Sequence, residues 1–201
     1  MTFAVCKRVG NELCVHADSP LPADVIAKFE ANFRQSSILA GLLETVILHP
    51  HACLSTAGRT VETTEFLKHY FAGEPADWDT PRVLRALFDI HMTSRKTCEF
   101  ILCESIRRVP RVFVIKGGSI EKDVPNAWIG SPRAFTTFQT AYDMAETPDI
   151  WEKLRASFRA VAEEDERAKG GHLHIEVFLD HRGTGYRNDA VFSMNVRSAS
   201  A

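Results

Sequence analysis

The alternation of apolar and polar positions predicts that the chain opens with a β-hairpin. Two apolar runs within residues 2–17 flank Gly10-Asn11, a dipeptide typical of the tight turns that join antiparallel strands. Residues 3–6 and 13–15 are apolar at consecutive positions, so each strand presents apolar side chains on both faces. Strands of this kind belong to a sheet that is covered on both sides.

Helical spacing and capping signals place helices between the runs of strand. Apolar periodicity predicts helices over residues 22–34 and 60–71. A capping residue followed by proline predicts three further helix starts, at Thr80-Pro81, Ser131-Pro132 and Thr147-Pro148. The other apolar runs predict strands over residues 42–48, 51–56, 99–103, 111–115, 127–130, 173–179 and 190–195, the last two joined by a turn-rich connection at residues 182–185.

The order of these elements indicates the fold class. Two helical pairs inserted between antiparallel strands do not alternate with them as βαβ units do, so a parallel doubly wound sheet is disfavoured. Sheets that are apolar on both faces, combined with paired helices, indicate an α+β fold, a four-layer αββα sandwich of antiparallel sheets flanked by helical pairs. At 201 residues one core suffices, so we expect a single domain over residues 1–201.

Composition and charge exclude several classes of function. The chain is 45% hydrophobic and 25% charged, the balance of a soluble globular protein. A formal net charge of −2 provides no field for phosphate backbones or anionic lipid, so neither nucleic acid nor a membrane is an expected partner. No window approaches the roughly 20 apolar residues of a membrane span. The five cysteines lack CxxC spacing and lie in apolar runs, which indicates buried, reduced thiols in a cytoplasmic protein.

The hairpin and the elements after it resemble a known family. The hairpin begins at the second residue, Thr2, and its second strand ends in Ala17-Asp18-Ser19. Further elements follow in the family's order, beside helices: Pro50, Ala57-Gly58, Gly130-Ser131 and Gly170-Gly171. The chain resembles the N-terminal-nucleophile (Ntn) hydrolases, in particular proteasome β subunits and the peptidase subunit of the bacterial two-component ATP-dependent protease. The resemblance covers most of the chain and implies the αββα fold.

The resemblance implies chemistry at the first atoms of the processed chain. Thr2, exposed once Met1 is removed, supplies the hydroxyl nucleophile. Its own α-amino group acts as general base, because a reference pKa of about 7.7–8.0 suits proton transfer near neutral pH. By the same resemblance, Asp18 holds the N-terminal region and the Gly58 amide donates to the tetrahedral oxyanion.

The remaining site positions follow from the same resemblance. Ser131 hydrogen-bonds near the threonine amine, and Asp165 or Glu166 supports Ser131. The family's catalytic lysine lies on the strand before Pro50, whereas residues 42–46 here read Leu-Leu-Glu-Thr-Val. Lys28 is the candidate to supply the missing cation through a different register, and otherwise the site is impaired.

The implied function is a proteasome-like threonine peptidase or amidohydrolase that cleaves peptide or other amide bonds and needs no cofactor. The family also implies a homo-oligomer, in the form of a ring, and an ATP-dependent unfoldase as partner. Two alternatives stay open. One is a catalytically silent subunit of the same fold that builds a ring or binds a partner. The other is a small-molecule or metal-binding protein that uses the histidine pairs His49/His51 and His172/His174.

Overall fold

The structure is a computed structural model that describes residues 3–20, 44–58, 78–105, 109–164 and 172–186, with the shorter pieces 63, 65–67, 69 and 193–194. Its strands are β1 (Phe3–Val9), β2 (Glu12–Pro20), β3 (Thr45–His49), β4 (Ala52–Ala57), β5 (Glu99–Glu104), β6 (Arg111–Lys116), β7 (Ser119–Lys122), β8 (Asn126–Gly130), β9 (His172–Asp180), β10 (Gly183–Tyr186) and β11 (Ser193–Met194). Its long helices are α1 (Thr80–Thr93), α2 (Pro132–Met144) and α3 (Ile150–Glu164).

The strands form two antiparallel sheets. The first sheet has the order β10-β9-β2-β1-β8, with β11 paired to β9, and the second has the order β3-β4-β5-β6-β7. The opening hairpin is confirmed, with Gly10 turning at a φ of 60°. A mixed α+β class with antiparallel sheets is therefore observed.

The two sheets bury a common apolar core between their facing sides. Alternate residues of each strand contribute to it, because successive side chains of a strand point to opposite faces. The inner face of the first sheet brings Ala4, Cys6, Val15 and Ile175, and that of the second brings Cys53, Ile101, Cys103 and Val112. The expectation that Cys6 is a core residue is confirmed, and all five cysteines are buried and free.

The outer faces of both sheets are apolar as well, and helices cover them. Phe3, Val5 and Cys14 of the first sheet pack against Phe138 of α2 and against Leu154 and Phe158 of α3. Leu54, Phe100 and Leu102 of the second sheet pack against Val83, Leu84 and Leu87 of α1. The consecutive apolar positions in the sequence thus correspond to strands covered on both faces.

Two of the three expected helix caps are wrong by one or two residues. The carboxylate of Asp79, not Thr80, accepts the N–H of Arg82 at the start of α1. The Thr80 hydroxyl instead donates to buried Glu104. At α3, Asp149 rather than Thr147 accepts the N–H of Trp151, at 2.8 Å. The cap predicted for α2 is confirmed, because Ser131 Oγ accepts the N–H of Ala134 at 3.3 Å.

Two strands were not expected from the sequence. The edge strand β7 has one apolar residue, Ile120, and so shows no apolar run. The strand β10 occupies most of the segment that predicted a turn, and its Gly183 lies so close to Pro50 that a Cβ would be 2.6 Å from the Pro50 carbonyl oxygen. Its glycines therefore reflect close packing as well as a turn.

Other expected elements fall wholly or partly outside the described residues. These are the helix over residues 22–34, much of the helix over 60–71 and all but 193–194 of the last strand. The described part of the 60–71 segment is helical, and its Phe66 and Leu67 pack on the second sheet. No helix among the described residues combines the length and apolarity needed to cross a membrane.

Candidate functional site

Two of the predicted site positions lie beside the first described residue of β1. Phe3, which follows Thr2 in the sequence, pairs with Asp18 of β2 on one side and with Gly130 of β8 on the other. Ser131 follows Gly130 directly and caps α2. Asp18 is buried, with 2% of its surface exposed. The predicted residues Thr2, Lys28 and Asp165 lie outside the described residues.

Gly58 follows β4 in the second sheet. Its φ is 105°, and a Cβ at this position would be 1.8 Å from the carbonyl oxygen of Thr97. Both the backbone conformation and the close approach require glycine. Glycine is therefore required at this position for structural reasons, independently of any role of its amide as an oxyanion donor.

Glu99 connects the end of the second sheet to the end of the first. Its Cα pairs with Ala57, the residue before Gly58, and its Oε2 accepts the N–H of Gly130 at 2.8 Å. Asp18, Gly58 and Ser131 therefore belong to one end of the two stacked sheets. We call this end, marked by Phe3, Asp18, Gly58, Glu99 and Gly130, the Phe3 end.

Lys116 adds a cation near the Phe3 end. Its Nζ lies 3.6 Å from Glu99 Oε2 and 3.1 Å from the centroid of the Trp128 ring. Burial lowers the pKa of Lys116, and the charge of Glu99 opposes this shift. The sequence pattern missed both residues, because a charged side chain at the end of an apolar strand is typical of an ordinary solvent-facing position.

Glu44 occupies the segment in which the family's lysine is expected. Its side chain is 7% exposed, and its Oε2 accepts the Thr56 hydroxyl at 3.0 Å. Thr56 lies on the same face of β4 as Leu54, which packs toward α1, so this contact is on the outer face of the second sheet. The next residue, Thr45, instead joins Ser55 through a buried hydroxyl contact of 2.7 Å.

A second polar cluster lies under α3, on the outer face of the first sheet. His16 Nδ1 of β2 is 2.9 Å from His174 Nε2 of β9, and Glu176 lies next to both. Arg155 of α3 holds both carboxylate oxygens of Glu176, at 2.7 and 2.9 Å. Burial, together with the charges of Arg155 and Arg159, lowers the pKa of His174 to about 4.

The histidine pairs expected from i, i+2 spacing have different outcomes. His174 meets His16 from the neighbouring strand, a partner that spacing along one strand does not reveal. His49 and His51 remain together at the β3–β4 turn, where the N–H of His51 donates to His49 Nδ1 at 3.1 Å. Burial and the neighbouring His51 lower the pKa of His49. Among the described residues no third Cys, His or carboxylate completes this second pair as a metal site.

The Phe3 end combines groups that can hold and stabilise charge. Ser131 supplies a hydroxyl and Lys116 a partly desolvated amine. The buried Asp18 carboxylate belongs to the same end but lies on the outer face of the first sheet, because Asp18 pairs with Phe3 and His174. Comparison of the chain with models of known protein families and with curated proteins finds no match. The arrangement of these side chains therefore carries the functional argument.

Proposed function

We propose that the chain is an Ntn-type amidohydrolase with an αββα sandwich fold and Thr2 as its N-terminal nucleophile. The observation that carries this proposal is the pairing of Phe3 with both Asp18 and Gly130. Asp18 carries a buried carboxylate on the same face of the first sheet as Phe3, and Ser131 follows Gly130 directly. Glu99 adds Gly58 to the same end through its contact with Gly130.

In the proposed reaction the Thr2 hydroxyl oxygen attacks the amide carbonyl carbon. The hydroxyl proton passes to the α-amino group of Thr2 and then to the leaving amine as the C–N bond breaks. Water hydrolyses the resulting ester and regenerates Thr2. The Gly58 N–H is the proposed oxyanion donor, a contact whose removal typically costs about 2.7–4 kcal/mol in the transition state.

Ser131 and a cation complete the proposed machinery. The Ser131 oxygen accepts the Ala134 N–H at 3.3 Å, which uses an acceptor site and leaves the hydroxyl proton to donate. Asp165 remains the proposed support for Ser131. For the cation we propose Lys116 beside the earlier candidate Lys28, because its amine is 3.6 Å from Glu99 and partly desolvated.

Covalent labelling tests this proposal. Intact mass first shows whether Met1 is removed, and a reagent directed at N-terminal threonine then reports whether Thr2 reacts. We expect one adduct per processed chain, no adduct on Thr2→Ala and a slower adduct on Thr2→Ser. A processed, folded protein that forms no adduct would refute the enzyme proposal.

Glu44 favours a second candidate, a catalytically silent subunit of the same proposed fold. The Glu44 side chain is buried and accepts a hydrogen bond from Thr56. It lies in the segment where the family has its lysine. A silent subunit would remain unlabelled but would still assemble into the proposed homo-oligomer. Light scattering on the same sample gives the oligomeric state. An oligomer that is not labelled supports the silent subunit, and a monomer that is not labelled contradicts both candidates.

A further inference from the structure

Three side chains on the outer face of the first sheet are arranged like a set of metal ligands. They are His16 on β2 and His174 and Glu176 on β9, and one ligand atom from each lies within 4.8 Å of the others. His16 and Glu176 are fully buried. Two imidazole nitrogens and one carboxylate oxygen form the protein ligand set of many zinc sites that keep a fourth position open.

The strand register holds these three residues on one face. The Cα of His16 pairs with that of Glu176, and His174 precedes Glu176 by two positions. Residues directly opposite on neighbouring strands share a face, as do residues two apart on one strand. Ligands on two hydrogen-bonded strands are positioned more rigidly than ligands on loops.

We propose that His16, His174 and Glu176 form a binding site for one divalent metal ion, and that this ion is Zn²⁺. Two nitrogens that each lie about 2.0–2.1 Å from one zinc ion can be at most about 4.2 Å apart. The observed 2.9 Å between His16 Nδ1 and His174 Nε2 satisfies this limit. The carboxylate of Glu176 offers the hard oxygen ligand that accompanies imidazoles at such sites.

Both histidines can bind the ion in their neutral form without a net loss of a proton. In the metal-free cluster one of the two facing nitrogens carries a proton that it donates to the other. On binding, that proton moves to the second nitrogen of its own ring, so both imidazoles ligate in the neutral form with no net loss of a proton.

The contacts of Glu176 with Arg155 leave room for an ion. Arg155 donates one hydrogen bond to each carboxylate oxygen, at 2.7 and 2.9 Å. Two carboxylate oxygens offer about four acceptor positions, so a lone pair remains for the metal. A partner that orients a ligating carboxylate in this way is a regular feature of metal sites.

Aromatic side chains close the cluster on the helix side. The ring of His16 lies 5.2 Å from that of Trp151 and 5.5 Å from that of Phe158, measured between centroids. Both aromatic residues belong to the apolar core that α3 builds on the first sheet. A site enclosed by the sheet and α3 fits an ion that is taken up during folding or when α3 lifts, and that stabilises the folded chain.

The experiment starts from the full chain, stripped of metal with a chelator and titrated with Zn²⁺ or Co²⁺ alone. We expect one equivalent of Zn²⁺ per chain by elemental analysis, a higher melting temperature with Zn²⁺, and d–d absorption with Co²⁺ from a nitrogen and oxygen ligand set. These readouts use the unaltered protein, so they do not depend on the folding of any variant. Less than about a tenth of an equivalent under saturating Zn²⁺ would overturn the proposal.

Matched variants locate the ion. We expect His16→Gln and His174→Gln to weaken Zn²⁺ binding at least tenfold, and Arg155→Lys to weaken it about tenfold through the orientation of Glu176. The control is His49→Gln, which removes a histidine from the separate pair at the β3–β4 turn. Binding lost in the control and retained in the first two variants would place the ion elsewhere and refute the site. Thr2→Ala should bind Zn²⁺ normally, so this test is independent of the proposed hydrolase activity.

Discussion

Gly58 shows how one residue can carry a structural demand and a proposed chemical role. Its φ of 105° lies in the region that favours glycine, and the Thr97 carbonyl occupies the space of a side chain. In the sequence Gly58 lies between a predicted strand, residues 51–56, and a predicted helix, residues 60–71. Its contact with Thr97 depends on a segment about forty residues later, which no local pattern contains.

Substitution of Gly58 tests the structural demand directly. We expect Gly58→Ala to lower the free energy of unfolding by roughly 3 kcal/mol, because the new Cβ needs both a strained φ and movement of the Thr97 backbone. Gly10→Ala is the matched control, since Gly10 has a φ of 60° but nothing within 4 Å of the added Cβ. Its cost should be only about 1–2 kcal/mol. Equal losses in chemical denaturation would show that the Thr97 contact relaxes freely.

Helix α3 is the element on which the second polar cluster depends. Its Arg155 donates a hydrogen bond to Glu176, and the rings of its Trp151 and Phe158 pack against His16. The sequence pattern predicted this helix from its cap-plus-proline signal. The prediction erred in the cap, because a proline after threonine suggested a start at Thr147-Pro148, whereas the Asp149 carboxylate reaches the free amides of the first turn.

A pair of substitutions distinguishes the two caps of α3. Asp149→Ala should lower the free energy of unfolding by about 1 kcal/mol, because the N–H groups of Trp151 and Glu152 lose their acceptor. Thr147→Ala should cost less, since the hydrogen bonds of the Thr147 hydroxyl with the Asp149 N–H and the Glu152 carboxylate are exposed to solvent. A larger loss for Thr147→Ala in thermal or chemical unfolding would restore the original prediction.

At the scale of the whole molecule, Glu99 joins the two sheets at the Phe3 end. Its carboxylate accepts the Gly130 amide of the first sheet and lies 3.6 Å from Lys116 of its own sheet. The adjoining core is apolar, and its burial supplies most of the free energy that holds the sheets together. The polar contact of Glu99 instead specifies how the two sheets meet at this end.

Replacement of Glu99 therefore has a local and a global effect. We expect Glu99→Ala to lower the free energy of unfolding by roughly 1.5–3 kcal/mol and to speed hydrogen exchange of the Gly130 amide. Glu99→Gln keeps an acceptor oxygen and should retain most of the protection. Glu146→Ala, at an exposed carboxylate, is the control. Unchanged exchange at Gly130 in Glu99→Ala would contradict the connecting role.

The sequence by itself determined the elements that depend on neighbouring residues. Periodic apolar positions, the Gly10-Asn11 turn and the Ser131 cap each act within about one strand or one helical turn, and each is confirmed. The consecutive apolar residues of β1 and β2 also required a sheet covered on both faces, as observed.

The tertiary structure alone decided which distant groups meet. Pairing of Phe3 with Gly130, of Glu99 with the Gly130 amide, and of His16 with His174 joins residues separated by between 31 and 158 positions. Such contacts follow from strand order and register, which are selected by the packing of whole apolar faces and leave no mark on local spacing. The candidate site at the Phe3 end was thus foreseen only in part. The cluster under α3 depends on the register of β2 with β9, which the sequence pattern did not predict.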